Sequence, residues 1–301
     1  MYSTIKGTTD VYFILGDPVE QVRAPESFNL IFATLGINAV LAPAHVPAAR
    51  VHDFVRAAFS AGNMKGLLLT IPHKSLVMDM LDDCSELARL AGAVNAMRCE
   101  ADGRLVGDLF DGEGLVKSMN NFGIGYSGKR VLMLGAGGAA AAIAASLVSP
   151  ASRVSLGAAA EVALYDPTLG KAGALARRLD TPAGARVVAV DSPDPAGFDV
   201  VINASPLGLY ASDPMPCDVA RMAPHAALVD ILMKNQPSPL VRAARGRGLV
   251  AQPGFEMMIQ QAPLYLDFFG LHEAARAVER DAGFVRRQIY PAALQGEIPP
   301  L

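Results

Sequence analysis

The chain has 301 residues, of which 51% are hydrophobic and 18% charged, and its formal net charge is −3 at pH 7. This composition excludes a disordered chain, which requires low hydrophobicity and high net charge. A nucleic-acid-binding protein is disfavoured as well, because 26 Lys and Arg against 29 Asp and Glu give no basic excess to meet phosphates.

The N-terminal part alternates short apolar runs with helical stretches, an order typical of an α/β fold with mainly parallel strands. Pro25 can open a helix that ends near Gly36, since proline suits the first helical turn and glycine the residue after the last. The Asp102-Gly103 pair predicts a turn between two short strands. The predicted strands are 11–16, 39–42 and 66–71, and the predicted helices are 26–35, 47–60 and 82–92.

A second alternating unit begins near Leu115. Its apolar strands are separated by helices or loops, as in a doubly wound nucleotide-binding fold. After Gly254 the pattern is helical to about residue 287, and we expect the tail 288–301 to be irregular. The predicted strands of this unit are 131–134, 162–165, 186–190, 199–203 and 226–231.

The segment 131–152 carries no charge and is long enough to cross a bilayer. Ala and Gly dominate it, and it divides into an apolar strand, a glycine turn and an Ala-rich helix, so we predict no membrane span. The N-terminus shows no apolar signal-peptide core. Three cysteines without CxxC spacing and five histidines without a ligand pattern favour a cytoplasmic protein with no metal site.

A glycine-rich turn follows the strand 131–134 and opens a helix. Glycine permits the tight turn and lets backbone N–H groups approach a pyrophosphate, while the helix N-terminus adds positive potential. The pattern predicts a dinucleotide site, and a plain packing turn is the alternative. The predicted cofactor-binding residues of the turn are Gly135, Ala136, Gly137, Gly138 and Ala139.

Asp166 follows the next strand, 31 positions after Gly135 (166 − 135 = 31). The spacing exceeds the usual value of about 20, which fits an insertion around 149–160. A carboxylate here would accept hydrogen bonds from ribose hydroxyls and repel a 2′-phosphate, so Asp166 favours NAD over NADP. The alternative is an N-cap ahead of Pro167.

Six further motifs accompany the glycine turn. They are GDP at 16–18 with Pro25, TIPHK at 70–74, AGAVN at 91–95, GDLFDG at 107–112, NASPLG at 203–208 and QQA at 260–262. In this order, and over essentially the whole chain, they resemble the shikimate/quinate dehydrogenase family.

The resemblance implies an N-terminal α/β substrate domain and a Rossmann-type doubly wound NAD(P)-binding domain, with the substrate in the cleft between them. The implied substrate domain is discontinuous, at 1–112 and 254–301. The implied dinucleotide-binding domain is 113–253.

In the family a lysine and an aspartate form the catalytic pair, and the matching residues here are Lys74 and Asp111. Oxidation of a secondary alcohol needs a base for the hydroxyl proton, and the reverse reaction needs a donor at the ketone oxygen. Desolvation in a closing cleft can lower the pKa of a lysine, and a nearby aspartate can orient it. We expect His73 to be a neighbour in the pocket wall rather than the base.

The resemblance also assigns binding residues. Asn95, Thr70 and Gln261 match substrate-binding positions of the family. Asn203 and Ser205, followed by Pro206 and Leu207, lie where the family has a loop lining the nicotinamide side.

The chain departs from the family at the substrate end. Family members acting on shikimate usually present two serines that bind the substrate carboxylate, and Val22 and Ala24 stand at those positions. Losing two charge-assisted hydrogen bonds, each worth about 1.5–3 kcal/mol, would weaken shikimate binding by several powers of ten. Either Arg23 or Gln21 supplies another carboxylate clamp, or the substrate differs.

Four further apolar residues replace polar family residues. Leu68 stands where the family usually has asparagine, Leu109 and Phe110 replace Asn-Thr before Asp111, and Met233 replaces a tyrosine. We expect these residues to make the substrate pocket more apolar.

The sequence therefore predicts an NAD-preferring oxidoreductase acting on a small cyclic hydroxy acid and not efficient on shikimate. A genuine shikimate or quinate dehydrogenase with a rebuilt carboxylate site is the first alternative, and a non-catalytic dinucleotide-binding regulator the second. We expect a monomer or homodimer without nucleic-acid or membrane partners.

Overall fold

A computed structural model describes residues 4–154, 157–180, 185–210 and 212–297. The strands are β1 Asp10–Gly16, β2 Ala39–His45, β3 Met64–Leu69, β4 Asp83–Cys84, β5 Ala96–Cys99, β6 Leu105–Asp108, β7 Arg130–Leu134, β8 Glu161–Tyr165, β9 Arg186–Ala189, β10 Val200–Asn203, β11 Ala227–Asp230 and β12 Ala251–Gln252. The α-helices are α1 Ala24–Thr34, α2 Val51–Phe59, α3 His73–Leu76, α4 Glu86–Ala91, α5 Asp111–Asn121, α6 Gly138–Val148, α7 Lys171–Leu179, α8 Pro239–Gly246, α9 Phe255–Phe268, α10 His272–Arg280 and α11 Gly283–Ile289.

The chain forms two compact units. The first contains the residues up to Phe110 and Gln261–Tyr290, and the second contains Asp111–Gln260 and Pro291–Glu297. The second boundary falls inside α9, so residues 254–260 and 291–297 belong to the second unit rather than to the first.

The first unit is built on a six-stranded sheet of order β2-β1-β3-β5-β6-β4. The strands are mainly parallel, as expected, and the exception is β5, which runs antiparallel to both β3 and β6. The reason is the predicted Asp102-Gly103 turn, which joins β5 directly to β6 as a hairpin, and a hairpin forces antiparallel pairing. The result is a mixed sheet with parallel pairs on both sides.

The predicted helix 82–92 is wrong at its start. Asp83 and Cys84 form the short strand β4, which pairs with Val106 and Gly107 at the sheet edge. The helix α4 begins only after Ser85, whose side chain accepts a hydrogen bond from the Ala88 N–H. An available sheet edge therefore shortens the helix to the part that has its own N-cap.

Aromatic side chains fill the core of the first unit around α1, β1 and the second half of α9. Phe110 and Tyr265 lie 5.0 Å apart between ring centroids, and Tyr12 and Phe269 lie 5.1 Å apart. Burial raises the pKa of the Tyr12 hydroxyl well above its usual range.

The second unit is a parallel six-stranded sheet of order β12-β11-β10-β7-β8-β9. This order reverses direction at β7, which confirms the predicted doubly wound architecture. Strands with two covered faces read as continuous apolar runs, and Val131, Leu132 and Met133 are all fully buried. The Ala-rich α6 is apolar all round and is buried over most of its length.

The segment 131–152 thus consists of β7, the glycine turn and α6, as predicted. No helix within the described ranges is both long and apolar enough to cross a membrane.

The prediction of a helical segment after Gly254 is confirmed, and the segment consists of three helices. Gly270, at a φ of +80°, ends α9, and α10 and α11 follow. The tail was expected to be irregular, but Ala292–Glu297 forms a 3₁₀ helix. The last four residues of the predicted tail lie outside the described residues.

Candidate active site

Backbone hydrogen bonds bring predicted site residues together near the ends of β3 and β6 in the first unit. Asn95 lies between β3 and β6, since its carbonyl accepts from the Leu69 N–H at 2.8 Å and its N–H donates to the Asp108 carbonyl at 2.9 Å. Its neighbour Val94 donates to the Lys74 carbonyl at 2.8 Å. Lys74 and Asn95 are therefore fixed beside the end of β6, two residues before Phe110.

Asn95 is fully buried and only half satisfied. Its Oδ1 accepts a hydrogen bond from the Phe110 N–H at 2.9 Å, while its Nδ2 has no partner among the described residues. A buried donor without a partner costs about 1–3 kcal/mol. An oxygen-bearing ligand would remove this cost, which is consistent with the substrate-binding role predicted for Asn95.

His73 and Lys74 open the short helix α3 and differ in exposure. His73 is completely buried, and burial lowers the pKa of its imidazole, although the Val46 and Gly16 backbone and Asp17 act in the opposite direction. Lys74 is only half-buried. A buried, neutral ring has no access to a substrate, which supports the prediction that His73 is not the base.

Asp111 is the first residue of α5 and belongs to the second unit, whereas Lys74 belongs to the first. The Asp111 carboxylate is buried, with 6% of the residue exposed. Asp111 comes directly after Phe110, three residues beyond the end of β6 at Asp108.

The start of α1 carries the two apolar substitutions of the predicted carboxylate site. Val22 and Ala24 are half-buried. Arg23 lies between them, and its guanidinium binds Glu26 Oε2 through Nη2 at 2.7 Å and Nε at 2.9 Å. Gln21 donates to the Pro18 carbonyl at 3.0 Å. Both candidates for a replacement clamp therefore already have partners within their own segment.

The apolar residues expected in the pocket are mostly core residues. Phe110 is fully buried, and its ring packs against Tyr265 and Phe268, so the expectation that it lines the pocket is wrong. Leu68 and Leu109 are each only 2% exposed. The sequence could not show this, because an apolar residue at a position where the family has a polar one can face either a ligand or the core.

The remaining predicted substrate residues lie in different elements. Thr70 is half-buried after β3, and its carbonyl accepts from the His73 N–H at 2.8 Å. Gln261 is buried in the part of α9 that belongs to the first unit. Met233 is half-buried, three residues after β11 in the second unit.

In the second unit, the glycine turn has the geometry of an anion-binding turn. Gly135 has a φ of +107°, and a Cβ there would lie 2.8 Å from the Ala204 carbonyl oxygen, so only glycine fits. A Cβ at Gly137 or Gly138 would meet nothing within 4 Å. Gly137 caps α6 without a side-chain hydrogen bond, so open space lies directly before the N-terminus of an 11-residue helix.

Asp166 closes the turn from the neighbouring strand. Its Oδ2 accepts from the Ala136 N–H and its Oδ1 from the Thr168 N–H, both at 2.9 Å. Burial works against ionisation, but these backbone hydrogen bonds and Lys171, at 3.4 Å, keep the pKa of Asp166 below its usual value. The alternative N-cap role is wrong, because α7 begins at Lys171 with Gly170 as its N-cap.

The loop 203–208 is held by its own side chains. Asn203 Nδ2 donates to Asp230 Oδ1 and to the Leu207 carbonyl, both at 3.1 Å, and its Oδ1 accepts from the Ser205 hydroxyl at 2.6 Å. Asn203 is fully buried, so its amide shapes the loop. Pro206 is exposed, and Leu207 is half-buried. Sequence reasoning missed Asp230, although it ends β11 as Asn203 ends the adjacent β10.

Comparison with known proteins places these sites in context. Residues 14–97 match the family model described as the shikimate dehydrogenase substrate binding domain. A shikimate dehydrogenase (NADP(+)) from Rubrobacter xylanophilus is 36% identical over 97% of this chain and 98% of its own length.

Two solved structures show the same fold at similar identity. A quinate dehydrogenase from Corynebacterium glutamicum, in complex with NAD, has a TM-score of 0.78 at 26% identity, covering 90% of this chain and 98% of its own. A ligand-free 5-ketofructose reductase from a Gluconobacter species has a TM-score of 0.78 at 25% identity, with the same coverage.

Proposed function

This chain belongs to the shikimate/quinate dehydrogenase family of NAD(P)-dependent oxidoreductases, and from that premise we propose that it interconverts a hydroxyl and a ketone on a small cyclic hydroxy acid other than shikimate. The relative from Rubrobacter xylanophilus is named for shikimate, and the structural neighbours for quinate and 5-ketofructose. Family membership is therefore compatible with more than one ring or sugar substrate, and the choice among them rests on the residues of this chain.

Lys74 acts as the acid and base of the proposed reaction, and Asp111 is its partner. In the oxidation direction the Lys74 amine accepts the hydroxyl proton of the substrate, and in the reduction direction the Lys74 ammonium returns a proton to the ketone oxygen. Buried His73 cannot substitute for it. The Asn95 Nδ2, a buried donor without a partner in the described part of the chain, donates to a ring oxygen and orients the substrate.

The residues of the glycine turn fit the diphosphate of a dinucleotide. Space is open at Gly137 and Gly138, and the first N–H groups of α6 point into it. Bound NAD(P) supplies the hydride acceptor and donor of the reaction. The chain contributes the backbone N–H groups for the diphosphate and the loop 203–208 for the nicotinamide side.

NAD is the proposed cofactor rather than NADP. Asp166 is ionised beside the turn, where it accepts the Ala136 and Thr168 N–H groups and lies 3.4 Å from the Lys171 ammonium. We propose that ribose hydroxyls donate to this carboxylate when the cofactor binds. A 2′-phosphate at the same position would meet a like charge. The relative named for NADP(+) makes the opposite preference the alternative.

The substrate proposal rests on one observation, the start of α1. Val22 and Ala24 stand where family members acting on shikimate use two hydroxyls, and neither side chain can donate a hydrogen bond to a carboxylate. Arg23 already binds Glu26 through Nε and Nη2, so it can offer a substrate carboxylate only Nη1 and the second Nη2 hydrogen. The alternative, a genuine shikimate or quinate dehydrogenase, requires Arg23 or another group to replace the two hydroxyls.

The double variant Val22→Ser/Ala24→Ser tests this proposal by restoring both hydroxyls. We expect kcat/KM for shikimate to rise by about 10²–10⁴, because each charge-assisted hydrogen bond is worth about 1.5–3 kcal/mol. The matched control is Ala57→Ser, at an exposed position on α2, which should change nothing. Unchanged shikimate turnover in the double variant would show that α1 does not form the carboxylate site.

A further inference from the structure

Asp230 is a fully buried carboxylate that the proposed chemistry does not use. Its Oδ1 accepts from Asn203 Nδ2 at 3.1 Å and from the Leu232 N–H at 3.2 Å, and its Oδ2 accepts from the Ser238 hydroxyl at 2.5 Å. These donors are all neutral, and burial raises the pKa of Asp230 although the hydrogen bonds oppose the shift. A buried carboxylate paired only with neutral donors is expensive, so its position calls for a physical reason.

The first link leads from Asp230 to the loop 203–208. Asn203 uses both Nδ2 protons, on Asp230 and on the Leu207 carbonyl, and its Oδ1 accepts from the Ser205 N–H and hydroxyl. The Ser205 hydroxyl in turn accepts from the Leu207 N–H at 3.3 Å. The amide of Asn203 is thus held by one bond from outside the loop, and Asp230 provides it.

The second link leads from the loop to the glycine turn. The Ala204 N–H donates to the Leu134 carbonyl at 2.8 Å, and the Ala204 carbonyl occupies the space that a Cβ on Gly135 would need. The loop and the turn are therefore neighbours through their backbones, and the Leu134 carbonyl just before the turn accepts a hydrogen bond from the loop. Asp230, Asn203, Ala204 and Gly135 form one continuous series of contacts along the carboxyl ends of β11, β10 and β7.

The other side of Asp230 is anchored in a helix. The Ser238 hydroxyl donates to Asp230 and accepts from the Val241 N–H at 3.2 Å, which caps α8. Gln236 accepts from the Ser238 N–H at 3.1 Å and donates to the Leu232 carbonyl at 2.8 Å. The carboxylate is thus fixed at both oxygens, so the position it gives to Asn203 is rigid.

We propose that Asp230 is a positioning residue for the dinucleotide: through Asn203 it holds the loop 203–208 against the glycine turn in the shape that binds the cofactor. This inference rests on the proposed function, which assigns the cofactor to that turn. Asp230 need not touch the cofactor for this role, because it acts through the hydrogen bonds of Asn203 and Ser205 within the protein.

Titration of the full-length protein with NADH, followed by nicotinamide fluorescence, tests the inference together with thermal unfolding. We expect Asp230→Ala to raise the Kd for NADH by about tenfold or more, since the loop-orienting hydrogen bond from Asn203 is lost and the buried Asn203, Leu232 and Ser238 donors lose their acceptor. Asn203→Ala should raise it similarly, and the double variant should be no worse than the worse single variant, because both changes break the same link.

Asp199→Asn is the matched control. Asp199 lies just before β10, at the end of this strand opposite to Asn203, and its Oδ2 accepts from the Arg130 N–H at 2.9 Å. The Asp199→Asn substitution should lower the melting temperature and leave the Kd for NADH unchanged.

The outcomes separate the two proposals. If the wild-type protein binds neither NADH nor NADPH, the proposed function fails and this inference with it. If the wild type binds but Asp230→Ala and Asn203→Ala keep its Kd, or their effects simply add, Asp230 is not a positioning residue and the proposed function stands. Should Asp230→Ala not fold, Asn203→Ala alone decides by the same change in Kd.

Discussion

Replacing Gly137 by alanine separates the demands of the fold from the demands of the cofactor. Gly137 has a φ of −83° and a ψ of −171°, which any residue adopts, and a Cβ there would meet nothing within 4 Å. The folded protein therefore accepts the methyl group without strain. Because alanine also reduces the freedom of the unfolded chain, Gly137→Ala should raise stability by about 0.4–1 kcal/mol.

The same methyl group would occupy the space assigned to the cofactor diphosphate. Losing one charge-assisted backbone hydrogen bond there costs about 1.5–3 kcal/mol, so the Kd for NADH should rise by roughly ten- to a hundredfold. Gly135→Ala, unlike Gly137→Ala, should lower the stability of the folded protein. Its φ of +107° and the Ala204 carbonyl oxygen at 2.8 Å from the new Cβ should cost about 1–3 kcal/mol of stability.

The assay is NADH titration by fluorescence together with thermal unfolding, run on the wild type and both variants. The reasoning predicts a Gly137→Ala protein that melts no lower than the wild type but binds NADH weakly. A Gly137→Ala protein with wild-type affinity would show that the diphosphate does not approach this turn.

Three further predictions concern single residues. Asp166→Ser should lower the ratio of the Kd for NADPH to the Kd for NADH by about tenfold, which corresponds to about 1.4 kcal/mol. The control is Asp180→Ser at an exposed position, and an unchanged ratio in Asp166→Ser would show that Asp166 does not select the cofactor. Lys74→Ala should reduce kcat by about 10²–10⁴, because the acid and base of the reaction is lost. Lys65→Ala on β3 should leave kcat intact, and equal rates in both variants would favour a non-catalytic regulator. Burial lowers the pKa of His73 in the folded state, so the folded protein resists protonation that the unfolded chain accepts, and stability should fall as the pH drops below about 6.5. His73→Phe should reduce this dependence of stability on pH, measured by denaturant unfolding, whereas His225→Gln at an exposed position should not. If His73→Phe keeps the wild-type dependence, His73 is not the group that causes it.

The order of elements and the turn at 135–138 could be predicted because local signals determine them. The run 131–134 is apolar on both faces, and glycines follow it, so a buried parallel strand, a turn and a helix are read directly. Pro25 marked the first turn of α1, and Asp102-Gly103 marked the hairpin. These features depend on neighbours within a few residues.

Features that depend on distant neighbours could not be predicted. Whether Phe110 faces a pocket or the core depends on Tyr265, which lies far along the chain in α9. The role of Asp230 depends on β10 and β11 being adjacent, so that Asn203 and Asp230 pair in register. The Arg23–Glu26 ion pair, by contrast, is local, and its three-residue spacing at the start of α1 was a usable signal in the sequence.

The central claim is that this family member acts on a cyclic hydroxy acid other than shikimate. The most direct measurement is kcat/KM of the wild-type protein for shikimate, quinate and a panel of other cyclic hydroxy acids, each with NAD and with NADP. The account predicts that at least one other acid, with NAD, exceeds shikimate by about 10² or more, the effect of one to two lost charge-assisted hydrogen bonds. A kcat/KM for shikimate of about 10⁴ M⁻¹s⁻¹ or higher, matched by no other acid, would contradict it.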